Sequence, residues 1–386
     1  MNLNESVHRQ LIIESGTHIP MNITIPDDIR RLHKVFKANG FQLFIVGGAI
    51  RDSILRKPIK DWDLATNMLA DDVIKMLRPQ KFITNIIETG VKFGVVNAFT
   101  ANDEYEIATF RKDSASSDGR RPDSVEFADI ATDVLRRDLT INALFYDLDT
   151  NEIVDLVGGV EDIKNGVVRT VGDAGERFDE DQLRVLRAIR FAGRFGSSVD
   201  ADIDKVLSGG VDMSKISGER IRDEFIKGIK TSKSTKHFLG LLVKYNLFEA
   251  IFPNIKVTDN FMESNDPDLV VASLLAGNGS ISKVLNGIKY PSDQINNIEF
   301  LLNLLNFNVE DIIGTVKKRQ NIGISDEQVL EFAKFQGLDE RLVRNILNFR
   351  LSVNGNEVMD KYNLKGGDLG NKIKELEINN FRASLR

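Results

Sequence analysis

Residues 41–66 read FQLFIVGGAIRDSILRKPIKDWDLAT, and this stretch decides the fold. The apolar run Leu43, Phe44, Ile45 and Val46 has the length and branching of a buried strand. Gly47 and Gly48 end it, and Ile50, Ile54 and Leu55 then share an amphipathic segment with Arg51 and Asp52. Strand, glycine turn and helix start together make a place where bare backbone N–H groups can approach a phosphate. Beyond Pro58, Asp61 and Asp63 flank Trp62. Strand residues two apart share a face, so both carboxylates point the same way and repel unless something positive lies between them. A divalent cation is the usual answer. A lone Gly-Gly is most often a tight turn and a lone Asp-x-Asp a solvated edge or a helix cap. The two within one helix length point to nucleotide chemistry.

Composition narrows the classes. A chain of 386 residues buries a sizeable core and divides into two or more domains. No apolar run approaches the roughly 18 residues of a membrane span, so no membrane partner is expected. The N-terminus, MNLNESVHRQ, lacks the basic-then-apolar layout of a secretory signal. With no cysteine, disulfides and thiolate metal sites are excluded, and a reducing, cytoplasmic setting fits. His8, His18, His33 and His237 form no His-Asp pair and no zinc-like spacing, which leaves histidine-based hydrolysis little to stand on. The net charge of −6 argues against a uniformly basic coat, but the charge is segregated. Residues 256–316 hold three Lys/Arg against eight Asp/Glu, whereas five arginines fall within 177–194.

Outward from the central stretch, residues 1–26 show no strong period and read as an N-terminal extension. Residues 27–39 carry Ile29, Leu32, Val35 and Phe36 at helical spacing, and 69–77 read as a second helix. Strand-like runs follow at 82–87, 91–99 and 105–110, then at 125–127, with a closing hairpin over 144–148 and 153–156. This is an α+β head with a small mixed sheet, spanning 27–160. Between its strands, the polar segment 111–122 (RKDSASSDGRRP) reads as a mobile loop carrying Arg111, Arg120 and Arg121. Past Gly158-Gly159 apolar residues recur at three and four. Helices are expected near 179–195, 200–207, 217–230, 234–248, 268–276, 293–305, 309–319, 326–336 and 339–352. The helical half divides into a neck (161–235) and a body with tail (236–386).

The second informative stretch is 173–195, DAGERFDEDQLRVLRAIRFAGRF. On a helix at 100° per residue, Arg184, Arg187, Arg190 and Arg194 fall within an arc of about 120°. Four guanidiniums so placed repel one another, so something anionic should face them. The plain alternative is a solvated face pairing with neighbouring carboxylates. Arginine rather than lysine at every place favours planar, bidentate recognition of phosphate or a base edge.

These blocks, G-G-A-I-R-D with D-W-D, then R-R-D-L-T-I-N-A-L and R-F-D-E-D-Q-L-R-V-L-R-A-I-R-F, resemble the successive signatures of class II tRNA nucleotidyltransferases. That family comprises the CCA-adding enzymes, which share a head with bacterial poly(A) polymerases. D-G-R-R-P at 118–122, D-L-V-G-G at 155–159 and S-G-E-R-I at 217–221 extend the likeness over about 41–230. Leu139 stands where Phe is common in the family, and D-S-A-S-S-D replaces a Gly and an aromatic in the loop. The resemblance implies a polymerase-β-like nucleotidyltransferase head followed by an all-helical neck, body and tail. It implies that Asp61 and Asp63 hold catalytic Mg²⁺ ions, with Glu106 as supporting carboxylate. Gly48 and Arg51 would hold the triphosphate, Arg137 would contact the nucleotide, and Asp181 and Arg184 would read the base with Arg187 and Arg190 behind them. The expected partners are CTP, ATP and the 3′ acceptor end of tRNA, with Lys227, Lys230 and Lys233 on acceptor-arm phosphates. The expected activity is untemplated addition of C, C and A. A poly(A) polymerase or A-only enzyme on the same head is the nearest rival. An inactive RNA-binding scaffold is the rival from another class.

Overall fold

The computed structural model describes residues 16–113, 125–256, 260–278 and 281–386. The chain divides into two compact units, Met1–Ile216 and Ser217–Arg386. The segment read as a neck, 161–235, therefore contributes to both.

In the first unit an eight-stranded mixed sheet runs in the order β1-β10-β9-β2-β3-β6-β5-β4. Its strands are β1 (Thr17–Pro20), β2 (Leu43–Val46), β3 (Asp63–Thr66), β4 (Asn85–Ile87), β5 (Val95–Phe99), β6 (Glu104–Thr109), β9 (Phe145–Asp147) and β10 (Glu152–Asp155). The strand β2 is buried at all four residues and lies between β9 and β3, as its unbroken apolar run predicts. All pairings in this sheet are antiparallel except β3 with β6, whose parallel register sets Asp63 opposite Glu106. A separate two-stranded ladder joins β7 (Arg111–Asp113) to β8 (Val125–Phe127).

The helices of this unit are α1 (Asp27–Ala38), α2 (Gly48–Ile54), α3 (Ala70–Leu77), α4 (Ile130–Leu135), α5 (Gly159–Asn165), α6 (Ala174–Glu180), α7 (Leu183–Phe195) and α8 (Ala201–Ser208). One face of the sheet packs a cluster containing Phe44, Val46, Phe110, Ile130, Val134, Phe145 and Val154. Within it the rings of Phe44, Phe110 and Phe145 lie 5.9, 6.3 and 6.1 Å apart, tilted or edge-on, each pair adding about 0.5–1.5 kcal/mol beyond its buried area. This cluster fixes α4 against β2 and β9, and so governs what α4 presents.

Four features of the first unit depart from the sequence reading. Part of the N-terminal extension is structured: Thr17–Pro20 pairs antiparallel with β10 as an edge strand, where a terminal proline is tolerated. The run 91–99 is split, because Gly94 adopts φ +74° between a 3₁₀ turn and β5. The helix expected over 179–195 breaks at Asp181, whose φ/ψ of −148°/101° is extended, leaving α6 and α7 on either side. Arg111 lies in β7 rather than in a loop, paired with Phe127, whereas Arg120 and Arg121 fall outside the described residues.

The second unit is helical, as the three-and-four spacing predicts. Its helices are α9 (Gly218–Thr231), α10 (Thr235–Lys244), α11 (Phe248–Ile251), α12 (Pro267–Leu275), α13 (Ser282–Gly287), α14 (Ser292–Leu305), α15 (Ile312–Arg319), α16 (Asp326–Phe335), α17 (Glu340–Asn348), α18 (Gly355–Tyr362) and α19 (Gly366–Ser384). Phe225 packs edge-on to Phe252 at 5.3 Å, and a Cβ at Gly228 would lie 2.1 Å from the Phe238 ring, so α9 and α10 meet closely only over glycine. Every residue of α12 is buried, which its sequence PDLVVASLL anticipates by lacking a polar face. Among the described residues no helix is long and apolar enough to cross a membrane.

Asp268, in the first turn of α12, is buried, and its pKa is pushed up to about 6 by burial and by the charges of Asp266 and Asp293, against a hydrogen bond from Asn297. A carboxyl with a raised folded-state pKa costs stability once it ionises, so stability falls as pH climbs from about 4 through 6. Asp268→Asn is expected to stabilise the chain by on the order of 2 kcal/mol above pH 7. The gain should vanish near pH 4. Thermal melts at the two pH values check this, and a variant melting lower at pH 8 would contradict it.

Candidate active site

The site is built where β2 ends, between the parallel strands β3 and β6 and the segment after α4. Trp62 is buried while Asp61 and Asp63 face outward on either side of it. Strand β3 begins only at Asp63, so Asp61 sits just before the strand, yet the alternation expected of the pair holds. Asp63 and Glu106 are cross-strand neighbours. The pKa of Asp63 is raised by surrounding protein and then by the charge of Asp61, against Arg137. That of Glu106 is raised by burial and then by Asp63, with Arg111 and Arg136 opposing. Among the described residues no group of three or more acidic or histidine side chains is drawn together tightly enough to hold a metal ion. Even so, the Asp61 charge raises Asp63 and the Asp63 charge raises Glu106, a mutual repulsion that a hard divalent cation near Asp61 and Asp63 would relieve.

Gly47 turns the chain at φ +69°, ψ −121°, which only glycine adopts freely, and its N–H donates to the Leu144 carbonyl at 3.0 Å. A Cβ at Gly47 would lie 3.5 Å from the Asn142 carbonyl oxygen and 4.0 Å from Arg137 Nη1. The glycine turn and the R-R-D-L-T-I-N segment are thus neighbours. Arg51 is buried at 6% exposure, with Nε and Nη2 donating to Asp52 at 3.0 and 3.1 Å and Nη1 donating to Asn142. Its guanidinium lies 4.9 Å from the centre of the Phe191 ring, and burial lowers its pKa. Gly48 lies over it: a Cβ there would sit 3.4 Å from Arg51 Nη2.

Arg137 stacks on Phe145, 4.8 Å from its ring centre, and donates to Asp133 from Nε at 3.1 Å and Nη2 at 2.9 Å. The aromatic core thereby carries Arg137 on its edge.

The arginine arc of α7 meets carboxylates of the head. Arg187 donates to Asp138 at 2.6 Å and Arg194 to Asp52 at 2.7 Å. Burial would raise the Asp138 carboxyl, but Arg187 and its hydrogen bond outweigh that and hold it below the ordinary range. Arg190 is buried over Phe191 at 4.3 Å. Arg184 donates from Nη1 to Glu180 at 2.6 Å and to the Arg177 carbonyl at 3.1 Å, and from Nη2 to the Arg136 carbonyl at 3.0 Å. Asp181, one residue before the N-cap Gln182, accepts the Leu183 N–H at 3.1 Å and so supports the start of α7. The anionic partners that the arc demanded include Asp52 and Asp138, the aspartates of the G-G-A-I-R-D and R-R-D blocks.

Asp52, Asp138 and Asn142 stand inside sequence motifs but carry no role legible there, and Asp133 stands outside them. A signal for Asp133 existed: it lies three and four residues before Arg136 and Arg137, the spacing at which helical side chains meet. Lys227, Lys230 and Lys233 are all exposed, the first two on α9 and the third just beyond it.

Comparison with known proteins bears on this geometry. Residues 43–169 match the poly A polymerase head domain. Residues 212–258 match the probable RNA- and SrmB-binding site of polymerase A, a span that includes all three lysines. The chain is 41% identical over 199 residues to the CCA-adding enzyme of Leuconostoc mesenteroides, covering 51% of this chain and 48% of the relative. It is 39% identical over 231 residues to the CCA-adding enzyme of Ligilactobacillus salivarius, covering 57% and 55%. The chain thus matches about half the length of these curated relatives. Among solved structures, the Bacillus stearothermophilus CCA-adding enzyme in complex with CTP is similar with a TM-score of 0.69 at 24% identity, covering 94% of this chain and 93% of that one. The Thermotoga maritima CCA-adding enzyme complexed with tRNA is similar with a TM-score of 0.66 at 20% identity, covering 98% of each chain. At these identities the structures establish the fold alone: a head built on a mixed sheet, and a helical remainder.

Proposed function

We propose that this chain is a CCA-adding tRNA nucleotidyltransferase, transferring C, C and A from CTP and ATP to the 3′ end of tRNA with release of pyrophosphate. The observation that carries the reading is the parallel pairing of Asp63 with Glu106, beside Asp61, at the foot of the glycine turn. Asp61 and Asp63, supported by Glu106, would hold Mg²⁺, which when bound lowers the pKa of a 3′-hydroxyl and neutralises triphosphate charge. Gly48 frames the triphosphate, with Arg51 shaping the turn from beneath and Arg137 contacting the nucleotide. Positioning and charge stabilisation are most of what such a transfer asks of a protein, so the scarcity of histidine is no obstacle.

Asp181 and Arg184 read the base. A carboxylate accepts and a guanidinium donates, which matches cytosine N4–H₂ beside N3 and adenine N6–H₂ beside N1. Uracil and guanine present the reverse pattern, and the mispaired groups make their admission costly. Three of the five Arg184 N–H groups are already taken by protein acceptors, which fixes the plane of the guanidinium and leaves the others for a base. Arg187 and Arg190 back it along α7.

In this reading residues 27–160 are the catalytic head and 161–235 the base-selecting neck. Residues 236–386 form the body and tail, and together with Lys227, Lys230 and Lys233 they meet tRNA. A cytoplasmic location suits such a substrate. The test is incorporation: each labelled nucleoside triphosphate is supplied separately to purified protein, Mg²⁺ and tRNA lacking its 3′ end. Label from CTP is expected on that tRNA, and label from ATP on tRNA already ending in CC. Incorporation of ATP alone on every substrate would move the assignment to an A-adding enzyme, and none at all to a scaffold.

A further inference from the structure

We infer that Asp133 is the positioning residue that sets the nucleotide site, bracing one of its arginines directly and its base-reading arginine through the end of α4. The inference rests on the proposed function and deepens it. Asp133 is 1% exposed, and both carboxylate oxygens are fully engaged. Oδ1 accepts the Arg111 backbone N–H at 3.2 Å and the Arg136 Nε–H at 2.8 Å. Oδ2 accepts from Arg137 Nε and Nη2 at 3.1 and 2.9 Å. Burial alone would raise this carboxyl, but Arg137 and Arg136 outweigh it and keep the group ionised.

What Asp133 holds is distinctive. Arg137 stands 4.0 Å from where a Cβ on Gly47 would be, at the phosphate turn. Arg111 opens β7, directly after β6, the strand that carries Glu106. At the end of α4 the Leu135 carbonyl accepts from Arg177 at 2.9 Å, and the Arg136 carbonyl accepts from Arg184 at 3.0 Å. One short helix, with Ile130 and Val134 sunk in the aromatic core, therefore references the glycine turn, the carboxylate strand and the base reader to a common frame. An ion pair whose carboxylate is buried this deeply is weak evidence for net stability, because desolvation offsets much of the attraction. Its geometric role is the stronger reading.

The test is Asp133→Asn, which keeps the shape but removes the charge that holds two guanidiniums. Its kcat/KM for CTP and ATP is expected to fall about ten- to a hundredfold, the range for losing an outer-shell orienting group. The loss should sit mainly in the nucleotide KM, with the tRNA KM unchanged. The double variant Asp133→Asn/Arg137→Gln should be little worse than Arg137→Gln alone, because the two act through one contact. If Asp133→Asn does not fold, Arg136→Gln, which loosens the same carboxylate from its more exposed side, should show the same nucleotide KM effect. Wild-type kcat/KM, additive losses in the double variant, or a matching loss in tRNA KM would overturn the proposal. Should the wild type add no nucleotide, the proposed function fails separately. The brace is then judged by hydrogen exchange at the Arg111 amide in the full chain. Faster exchange in Asp133→Asn supports it, and unchanged exchange overturns it.

Discussion

Asp63→Ala, and likewise Asp61→Ala, is expected to reduce nucleotide addition by about a thousandfold or more while leaving the chain folded. Lewis-acid stabilisation of a transferring phosphoryl group is worth several kcal/mol, and each 1.36 kcal/mol is tenfold in rate. The stability half of the prediction comes from charge. The protein around it and the Asp61 charge raise the Asp63 pKa even though the side chain reaches solvent. Ionising Asp63 therefore costs the folded state, a cost that accrues as pH rises from the ordinary carboxylate value through the raised one. Alanine removes it. In buffer free of divalent ions at neutral pH the variant should melt at or above the wild-type temperature, and the difference should close in acid. Kinetics at saturating Mg²⁺ and a melt on the same sample check both halves. Wild-type turnover would end the metal assignment, and a collapsed melting temperature would make the aspartate structural instead.

Under the proposed function, Asp181→Ala is expected to change which nucleotides are accepted more than how fast they are added. Without the carboxylate, the site no longer demands an exocyclic amino group, so U and G gain relative to C and A. A hydrogen bond to a charged partner is worth roughly 1.5–3 kcal/mol, so the C-to-U preference should fall about ten- to a hundredfold. The structure sharpens the competing account, because Asp181 supports the start of α7 much as a cap would, accepting the Leu183 N–H at 3.1 Å from the position before the N-cap Gln182. Loss of a cap costs about 1 kcal/mol of stability and would slow all nucleotides together. The ratio of single-turnover rates for C and U separates the two accounts. A ratio unchanged from wild type would leave Asp181 as a cap only.

Much of this was legible because it is local. The run LFIV, two glycines and D-W-D lie within 26 residues, and each obeys a rule of short range: apolar length, φ freedom, period two. The helical second unit was legible for the same reason: the helix expected near 268–276, for example, is Pro267–Leu275. What stayed hidden depends on distant partners. Thr17–Pro20 joins the sheet only because β10, more than 130 residues later, offers an open edge, and its own four residues carry no period. The arginine arc demanded anions, but nothing local names Asp138, 49 residues before Arg187, or Asp52, 142 before Arg194. The break at Asp181 was masked because the apolar spacing of 178, 183, 185 and 186 reads through two helices as easily as one.

If the chain adds C, C and A in order and then stops, the length of the product shows it. Purified chain is mixed with Mg²⁺, CTP and ATP together and three tRNAs ending before the first C, after one C and after two. Products are resolved at single-nucleotide length. The account predicts growth by three, two and one nucleotides, each stopping at the same final length with A last. Runs of A beyond that length, or a product indifferent to the starting end, would contradict it.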